Sequence, residues 1–506
     1  MSDTLEQPRE LGQGQVDEAS DSLGGRTVVA GLWTVLEQFG RRGLSVVVNL
    51  VLARLLLPHE FGLVGILTVF ILVAQVIADA GLSSALIQKS SPSETDWSTS
   101  FYSNFILGLL IFAVLWVLSP AVAASFSEPQ LTWLTRVLAL TVVVNSLGVV
   151  QATRFQKTMN FRPLTESILI SVFVSGVISI GLAIWGFGVW SLAIQRVLAD
   201  LIRVTLFWCK ADWVPSLKFS FTSLKEQVRY GGCVLLAAIF NTVTQPMIYF
   251  VIAAGHAPAT LGYVVQGSQL PDALSRTLAG TLGRVAFPVF ALIQQDRSRV
   301  KKTLRNSMQM LYSTVLPLMV IVAVSSPLLV QILLTEKWIP CVPYLRLFCV
   351  IGFLLPVQAI YQHLLMVDSR PTKLIATQFF RLALHAVVLL CTFRFGVLWI
   401  VTGQVIAELI VTVVLSCVMV TVGSYSLQEQ LSDLFRPLAV VVLATSCVLL
   451  GQAAFELSVL PALLVQSVCW PTLLVILAFV FKLPVLETLQ AARARRGLVK
   501  IAAQGQ

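Results

Sequence analysis

The first apolar stretch of the chain, from Gly31 to Leu57, carries several charged and amide side chains. It is longer than the about 20 residues that a helix needs to cross a bilayer. Its interior nevertheless contains Glu37, Gln38, Arg41, Arg42 and Asn49. A charge near the bilayer centre costs about 2.5–3.5 kcal/mol on insertion scales, so the two arginines should face a polar interior and not lipid.

Most of these polar residues share one face of a helix. Thr34, Gln38, Arg42, Ser45 and Asn49 follow one another at spacings of four, four, three and four, which gives a single polar stripe with Glu37 and Arg41 beside it. We expect the stripe to line a cavity. The alternative is an internal ion pair between Glu37 and Arg41 that only fastens helices together.

A second polar row lies in the middle of the chain. Ser268, Asp272, Arg276, Gly280 and Arg284 are each four residues apart and therefore lie on one helix face. This face is expected to oppose the first stripe across the lobes, so that arginines from two helices converge on one cavity. As an alternative, Asp272 and Arg276 form an ordinary intrahelical pair.

The composition defines the elements that hold these rows. Of 506 residues, 57% are hydrophobic and only 12% are charged, with a mean hydropathy of +0.84. These values predict an all-α integral membrane protein. Apolar runs of helical length predict about fourteen transmembrane helices, at about 28–56, 61–87, 99–123, 131–152, 164–185, 188–209, 231–254, 262–292, 307–334, 342–366, 373–393, 396–421, 436–455 and 460–481.

Basic residues in the loops set the expected orientation. If the amino terminus is cytoplasmic, only Lys337 and Arg394 fall in loops on the opposite side. The positive-inside rule then places both termini in the cytoplasm of a multi-pass inner-membrane protein. The net charge of +10 follows from these loops, and no nucleic-acid partner is expected. Residues 1–27 are expected to be a disordered cytoplasmic tail, and 482–506 a basic one.

Similar short sequences recur about 200 residues apart. Pro58 and Gly62 return as Pro258 and Gly262, and three further matches share an offset of 208. We therefore predict two six-helix lobes, at 28–209 and 231–421, followed by two additional helices at 436–481. Between the lobes, 210–230 is predicted to be a cytoplasmic linker with an amphipathic helix or, alternatively, a solvated loop.

Two further carboxylates fall within predicted helices. Asp79 is near the cytoplasmic end of the second, where a gating role and a solvated or fastening role are both open. Glu408 lies near the middle of the twelfth and is a candidate ion carrier. Its alternative role is to pair with Arg381 or His385 on the neighbouring helix.

No enzymatic centre is expected. The eight cysteines are scattered singly and the four histidines have no metal-ligand spacing, so we expect neither a metal nor a cofactor. A polysaccharide polymerase or ligase, which would place its catalytic residues in a large external loop, disagrees with the short loops on that side.

Several ordered segments resemble the Wzx-like polysaccharide flippases, most closely the WzxC-type branch of the multidrug/oligosaccharidyl-lipid/polysaccharide exporter superfamily. They are LARLLLPHEFGLVGI from Leu52, DAGLSSALIQKS from Asp79, GFGVWSLAIQ from Gly186, LGYVVQGSQLPDALSRTLAGTLGRVAFPVF from Leu261 and EKWIPCVPYLRLF from Glu336. The similarity extends from about residue 28 to residue 421.

The resemblance implies a fourteen-helix fold with two lobes that alternate between inward and outward openings. It implies transport of polyprenyl-pyrophosphate-linked oligosaccharide for exopolysaccharide, capsule or lipopolysaccharide synthesis, with Arg41 or Arg42 and Arg276 or Arg284 at the pyrophosphate. Membrane lipids, and a polymerase with glycosyltransferases, are the implied partners. A multidrug antiporter or a peptidoglycan-precursor flippase of the same superfamily is the alternative. The last two helices would guide the polyprenyl tail or, alternatively, form a packing or oligomer surface.

Overall fold

The computed structural model describes residues 36–244, 246–367 and 371–455. Within these residues the chain forms sixteen α-helices and two short 3-10 helices. The α-helices are α1 (36–55), α2 (Pro58–Asp79), α3 (Leu82–Gln88), α4 (Glu94–Ser125), α5 (Gln130–Lys157), α6 (Phe161–Ile184), α7 (Val189–Lys210), α8 (Phe221–Thr244), α9 (Met247–Gly255), α10 (Pro258–Ile293), α11 (Arg297–Val324), α12 (Ser326–Leu333), α13 (Val342–Val367), α14 (Pro371–Thr392), α15 (Val397–Val422) and α16 (Leu427–Phe455).

The distribution of side chains is that of a protein surrounded by lipid. On α6, four serines spaced by four residues are buried, at positions 167, 171, 175 and 179, whereas Phe173 and Val177 on the opposite side are more than half exposed. Small polar residues at helix interfaces and large apolar residues outside are typical of membrane helices, because lipid solvates apolar side chains. The prediction of an all-α membrane protein is confirmed.

Nine helices of the described residues are long and apolar enough to cross a membrane, by length and composition alone. Three others, α7, α8 and α10, have 22, 24 and 36 residues but more polar sequences. The predicted span at 460–481 and the tails 1–27 and 482–506 lie outside the described residues. The count of fourteen spans therefore stays a prediction.

Three of the segments that were each predicted to be one continuous helix consist of two helices in the structure. The segment 61–87 is divided between α2 and α3 at Ala80 and Gly81, which both have positive φ angles, of 48° and 71°. The segment 231–254 is divided between α8 and α9 before Pro246, and 307–334 between α11 and α12 at Ser325. Proline lacks the N–H group that a continuing helix needs, which explains the break before Pro246.

The amphipathic segment predicted within 210–230 is the first part of α8, which continues without interruption to Thr244. Polar contacts join this region to α4. Asp96 of α4 accepts hydrogen bonds from Ser223 Oγ at 2.5 Å and forms a salt bridge of 2.9 Å with Lys89. The hydrogen bond to Asp96 raises the pKa of Lys89. The start of α8 is therefore fastened to α3 and α4, and is not a separate linker helix.

The recurring Pro and Gly residues meet where α2 crosses α10. A Cβ atom added at Gly62 would lie 1.8 Å from the carbonyl oxygen of Pro258, and one added at Gly262 would lie 1.9 Å from that of Pro58. The two helices thus approach each other reciprocally, each through the glycine four residues after its first proline. Only glycine permits this backbone separation.

Trp338 fastens the same end of the bundle. It lies in the 3-10 helix Glu336–Cys341 and is fully buried. Its Nε1 donates to the carbonyl oxygen of Ala53 at 2.7 Å. Its ring contacts the ring edges of Phe61 on α2 and Tyr263 on α10, with centroids 5.4 and 6.0 Å away. The ends of α1, α2 and α10 are therefore held together by one indole.

The crossing gives a first prediction. Gly62→Ala and Gly262→Ala should each destabilise the protein by at least about 1–3 kcal/mol, because the methyl group forces two backbones apart. The measurement is the thermal unfolding temperature of the purified protein in detergent. Gly181→Ala is the matched control, since its added Cβ would meet nothing within 4 Å. Equal unfolding temperatures for all three variants would contradict the close crossing.

Candidate functional site

The polar stripe of α1 contacts α10 directly. Arg42 Nη1 donates to Thr277 Oγ1 at 3.0 Å. One turn earlier on α1, Gln38 lies against Gly280, where an added Cβ would be 2.4 Å from Gln38 Nε2. The small residues on α10 therefore allow the long polar side chains of α1 to reach across to it.

Arg276 lies one residue before the threonine that Arg42 contacts. Its Nη2 is 3.7 Å from Asp272 Oδ2, and its side chain is 46% exposed. Arg42 lies within electrostatic range of Arg41, Arg276 and Asp272 together. We call these four residues, Arg41, Arg42, Asp272 and Arg276, the cationic cluster. Three positive charges and one negative charge leave it with a net positive charge, as an anionic ligand requires.

The other predicted cavity residues occupy different places. Glu37 is half-buried on α1, one turn before Arg41, which is exposed. Arg284 lies in α10 two turns after Arg276, and its side chain is outside the described part of the structure. Asp79 ends α2 and accepts a hydrogen bond from Ser83 Oγ at 2.5 Å. In the structure, Asp79 is thus bonded locally, on the element that leads into α3.

Asn49 lies in a larger cavity, between α1, α2, α5, α6, α7 and α10. Its volume is about 350 Å³. The polar residues that line it are Ser45, Asn49, Thr68, Ser175, Gln195, Arg196 and Gln269. Apolar residues, among them Phe61, Ile71 and Leu138, form the rest of its wall. We call this space the amide cavity.

Glu408 is the most deeply buried carboxylate of the predicted set. Its side chain is 2% exposed, and it accepts from Arg381 Nη2 at 2.6 Å. His385 Nε2 is 3.3 Å from the same oxygen, and Gln358 Nε2 donates to the other oxygen at 2.9 Å. The structure therefore brings Glu408 together with both of the partners considered for it, on α14, and adds a third on α13.

A smaller cavity links Glu408 to the cationic cluster. It has a volume of about 140 Å³. Asp272, Arg276, Tyr249, Gln404 and Glu408 are its polar lining residues. A change in the charge of Glu408 would thus change the electrostatic potential at Arg276, because electrostatic fields are weakly screened away from water.

Sequence reasoning missed Thr277, Gln358 and the α7 residues of the amide cavity. Thr277 gives no signal, because threonine is ordinary in such helices. On α7, Arg196, Asp200 and Arg203 are spaced by four and three, a second polar face that could have been recognised. In the structure Arg203 and Asp200 pair at 2.7 Å, whereas among the described residues Arg196 forms no salt bridge.

The chain is similar in sequence to proteins of polysaccharide biosynthesis. A family model described as "Polysaccharide biosynthesis protein" matches residues 51–343, more than half of the chain. The Escherichia coli lipopolysaccharide biosynthesis protein WzxC is 26% identical over 450 residues, 86% of this chain and 90% of that protein. The Rhizobium meliloti succinoglycan biosynthesis transport protein ExoT is 28% identical, and the Bacillus subtilis teichuronic acid biosynthesis protein TuaB 27%.

The matches to ExoT and TuaB cover 58% and 59% of those proteins, less than two thirds of their length. Solved structures share the fold. The lipid II flippase MurJ in its inward closed conformation aligns with a TM-score of 0.73, over 90% of this chain and 98% of that one, at 13% identity. An inward-facing MATE family transporter of the MOP superfamily aligns with a TM-score of 0.57, over 79% and 95%.

The described residues share the fold of these solved transporters, with helices long and apolar enough for a multi-pass membrane protein. The chain belongs to the polysaccharide biosynthesis protein family. The resemblance to Wzx-like proteins that the sequence motifs indicated is thereby confirmed.

The buried pair gives a second prediction. Arg381→Ala should destabilise the protein by about 3–5 kcal/mol, because it removes the arginine that offsets the charge of the buried Glu408 carboxylate. Arg299→Ala removes an arginine whose side chain is 76% exposed and pairs with Asp296, and should cost at most about 1 kcal/mol. Thermal unfolding in detergent compares the two.

Adding Glu408→Gln to Arg381→Ala should recover part of the loss, since the unpaired charge is then gone. Equal unfolding temperatures for Arg381→Ala and Arg299→Ala would show that the Arg381–Glu408 pair is not buried in the folded protein.

Proposed function

We propose that this protein is a flippase that moves polyprenyl-pyrophosphate-linked oligosaccharide across the bacterial inner membrane for exopolysaccharide, capsule or lipopolysaccharide synthesis. The observation that carries the proposal is the meeting of α1 and α10 at Arg42 and Thr277, with Arg276 accessible beside them.

The chemistry of the cationic cluster suits a pyrophosphate. Guanidinium groups are permanently charged, and their forked donors match phosphate oxygens. The side chain of Arg276 is 46% exposed beside Asp272, so a ligand can reach the guanidinium. A pyrophosphate bound between Arg42 and Arg276 would offset the surplus positive charge, which is costly in a membrane interior.

The relatives favour a glycan-bearing lipid over other cargo. WzxC, ExoT and TuaB are each named for the synthesis of a polysaccharide. The solved flippase MurJ acts on lipid II, a peptidoglycan precursor, and the solved MATE transporter is a multidrug resistance protein. The solved structures share the fold at only 13% identity, whereas the polysaccharide relatives match by sequence. We therefore infer that the cargo resembles that of the polysaccharide relatives.

In the proposed mechanism, two six-helix lobes at 28–209 and 231–421 rock around the cationic cluster. The crossing of Gly62 and Gly262 holds the lobes together at one end, which is the periplasmic end if both termini are cytoplasmic. The cationic cluster then lies toward the cytoplasm, where the lipid-linked substrate is made. Ion coupling through Glu408, and association with a polymerase and glycosyltransferases, stay predictions.

A double substitution tests the pyrophosphate site. Arg42→Ala with Arg276→Ala should abolish surface polysaccharide in a host that lacks its own copy of the gene, because two guanidinium ligands are lost. Arg299→Ala with Arg394→Ala is the control, since it removes the same charge from exposed positions. Polymer is quantified from the cell surface, and immunoblotting of membranes shows that both variants are inserted. Normal polymer in the first variant would remove the pyrophosphate site.

Fusions test the proposed orientation. Alkaline phosphatase, which is active only outside the cytoplasm, should be active when fused after Glu128, between α4 and α5, and inactive when fused after Asp296, between α10 and α11. Phosphatase activity of colonies, normalised to the amount of fusion protein, is the measurement. The reverse pattern would invert the topology and move the cationic cluster to the periplasmic half.

A further inference from the structure

The amide cavity is separate from the cationic cluster. Asn49 follows Arg42 by seven residues on α1, which is about 10 Å along a helix axis. Among the described residues, the lining of the amide cavity contains none of the four residues of the cluster. A ligand anchored at Arg42 would therefore meet the amide cavity with the part of the molecule that lies next to its anionic group.

The polar lining of the amide cavity consists mainly of uncharged groups. Asn49, Gln195 and Gln269 come from three different helices and each provides both hydrogen-bond donors and acceptors. Ser45 and Thr68 add hydroxyl groups, and the rest of the wall is apolar. A few convergent amides among apolar walls suit a ligand with many hydroxyl groups on an otherwise apolar ring. The volume, about 350 Å³, lies at the lower end of small-molecule pockets.

One of these amides lacks a partner. Asn49 Oδ1 is buried and accepts no hydrogen bond from any described residue. A buried acceptor without a partner costs free energy, and a donor from a ligand in the cavity removes that cost. A hydroxyl group of a ligand in the amide cavity can donate to this oxygen.

Arg196 adds one charge to this cavity. Arg196 follows Gln195 on α7. It lies seven residues, or about 10 Å along the helix axis, after Val189, the first residue of α7. Asn49 lies six residues before the end of α1 at residue 55, about 9 Å from it. Both side chains line the amide cavity, so one ligand can contact the two of them. Within the described residues Arg196 forms no salt bridge, and arginines within a membrane face a polar or water-filled interior, so its guanidinium can bind an acidic group of a ligand.

We propose that the amide cavity binds the sugar ring attached to the pyrophosphate, with Asn49 and Gln195 bonded to its hydroxyl groups and Arg196 bonded to an acidic substituent. The inference rests on the proposed function, because the pyrophosphate at the cationic cluster brings the sugar to this position. It assigns a specificity-determining role to residues of α1 and α7 that do not touch the pyrophosphate.

Binding of three synthetic lipids to the full-length protein in nanodiscs tests this assignment. The lipids are polyprenyl pyrophosphate without a sugar, the same lipid carrying glucose, and the same lipid carrying glucuronic acid. The wild-type protein should bind the glucuronyl lipid about tenfold more tightly than the glucosyl lipid, as expected for one charge-assisted hydrogen bond.

The variants separate the two sites. Asn49→Ala and Gln195→Ala should weaken binding of both sugar-bearing lipids by about 5- to 10-fold and leave the sugar-free lipid unchanged. Arg196→Gln should remove the preference for glucuronate, and Arg196→Lys should retain part of it. Ser171→Ala is the control, since Ser171 is buried on α6 and bonds to its own helix.

Each result has a defined meaning. Equal weakening of all three lipids by the Asn49, Gln195 and Arg196 variants would place these residues at the pyrophosphate and overturn the inference, as would unchanged binding of every lipid. The proposed function would instead be overturned, and this inference with it, if the wild-type protein did not bind the sugar-free lipid and Arg42→Ala did not weaken binding of the two sugar-bearing lipids.

Discussion

A charged side chain within a membrane must have a partner, and this constraint organises the interior of the protein. Arg381 meets Glu408 at 2.6 Å, Arg203 meets Asp200 at 2.7 Å, and Arg42 meets Thr277 at 3.0 Å. In the first two pairs the charges offset each other: Arg381–Glu408 joins α14 to α15, and Arg203–Asp200 lies within α7. The third joins a charge to a hydroxyl dipole, with the Asp272 carboxylate within electrostatic range, and the cationic cluster around it keeps a net positive charge. In the proposed function, the paired arginines are structural and those of the cationic cluster bind the ligand.

The Arg381–Glu408 and Arg276–Asp272 pairs also differ in how far their side chains are exposed. Glu408 and Arg381 are 2% and 11% exposed, whereas Arg276 is 46% exposed beside Asp272, which is 31% exposed. Water or a ligand can reach the second pair but not the first. The 140 Å³ cavity joins them, so the neutral pair contributes a fixed wall next to the accessible charges. An accessible charge held against a rigid, dry wall binds an anion more strongly than one on a flexible surface.

The sequence predicted the elements better than their contacts. The four-residue spacings on α1 and α10 identified the helix faces, because a side-chain period follows directly from helix geometry. The recurrence of Pro58 and Gly62 at Pro258 and Gly262 marked two equivalent segments, but only coordinates show that they touch. Helix breaks at Gly81 and before Pro246 were missed because the apolar run continues through them. The sequence did not show that Gln195 and Arg196 line a cavity, because that cavity depends on the packing of six helices.

Helix α10 joins the two halves of the proposed mechanism. It contains Gly262, at the crossing with α2, and Thr277, which Arg42 contacts, separated by fifteen residues or about 22 Å of continuous helix. Pro271 lies between these two contacts, and a long helix bends most readily at a proline, because the proline has no N–H group to donate. In the proposed mechanism, the part of α10 that contacts Arg42 can therefore change its tilt while the glycine crossing stays in place.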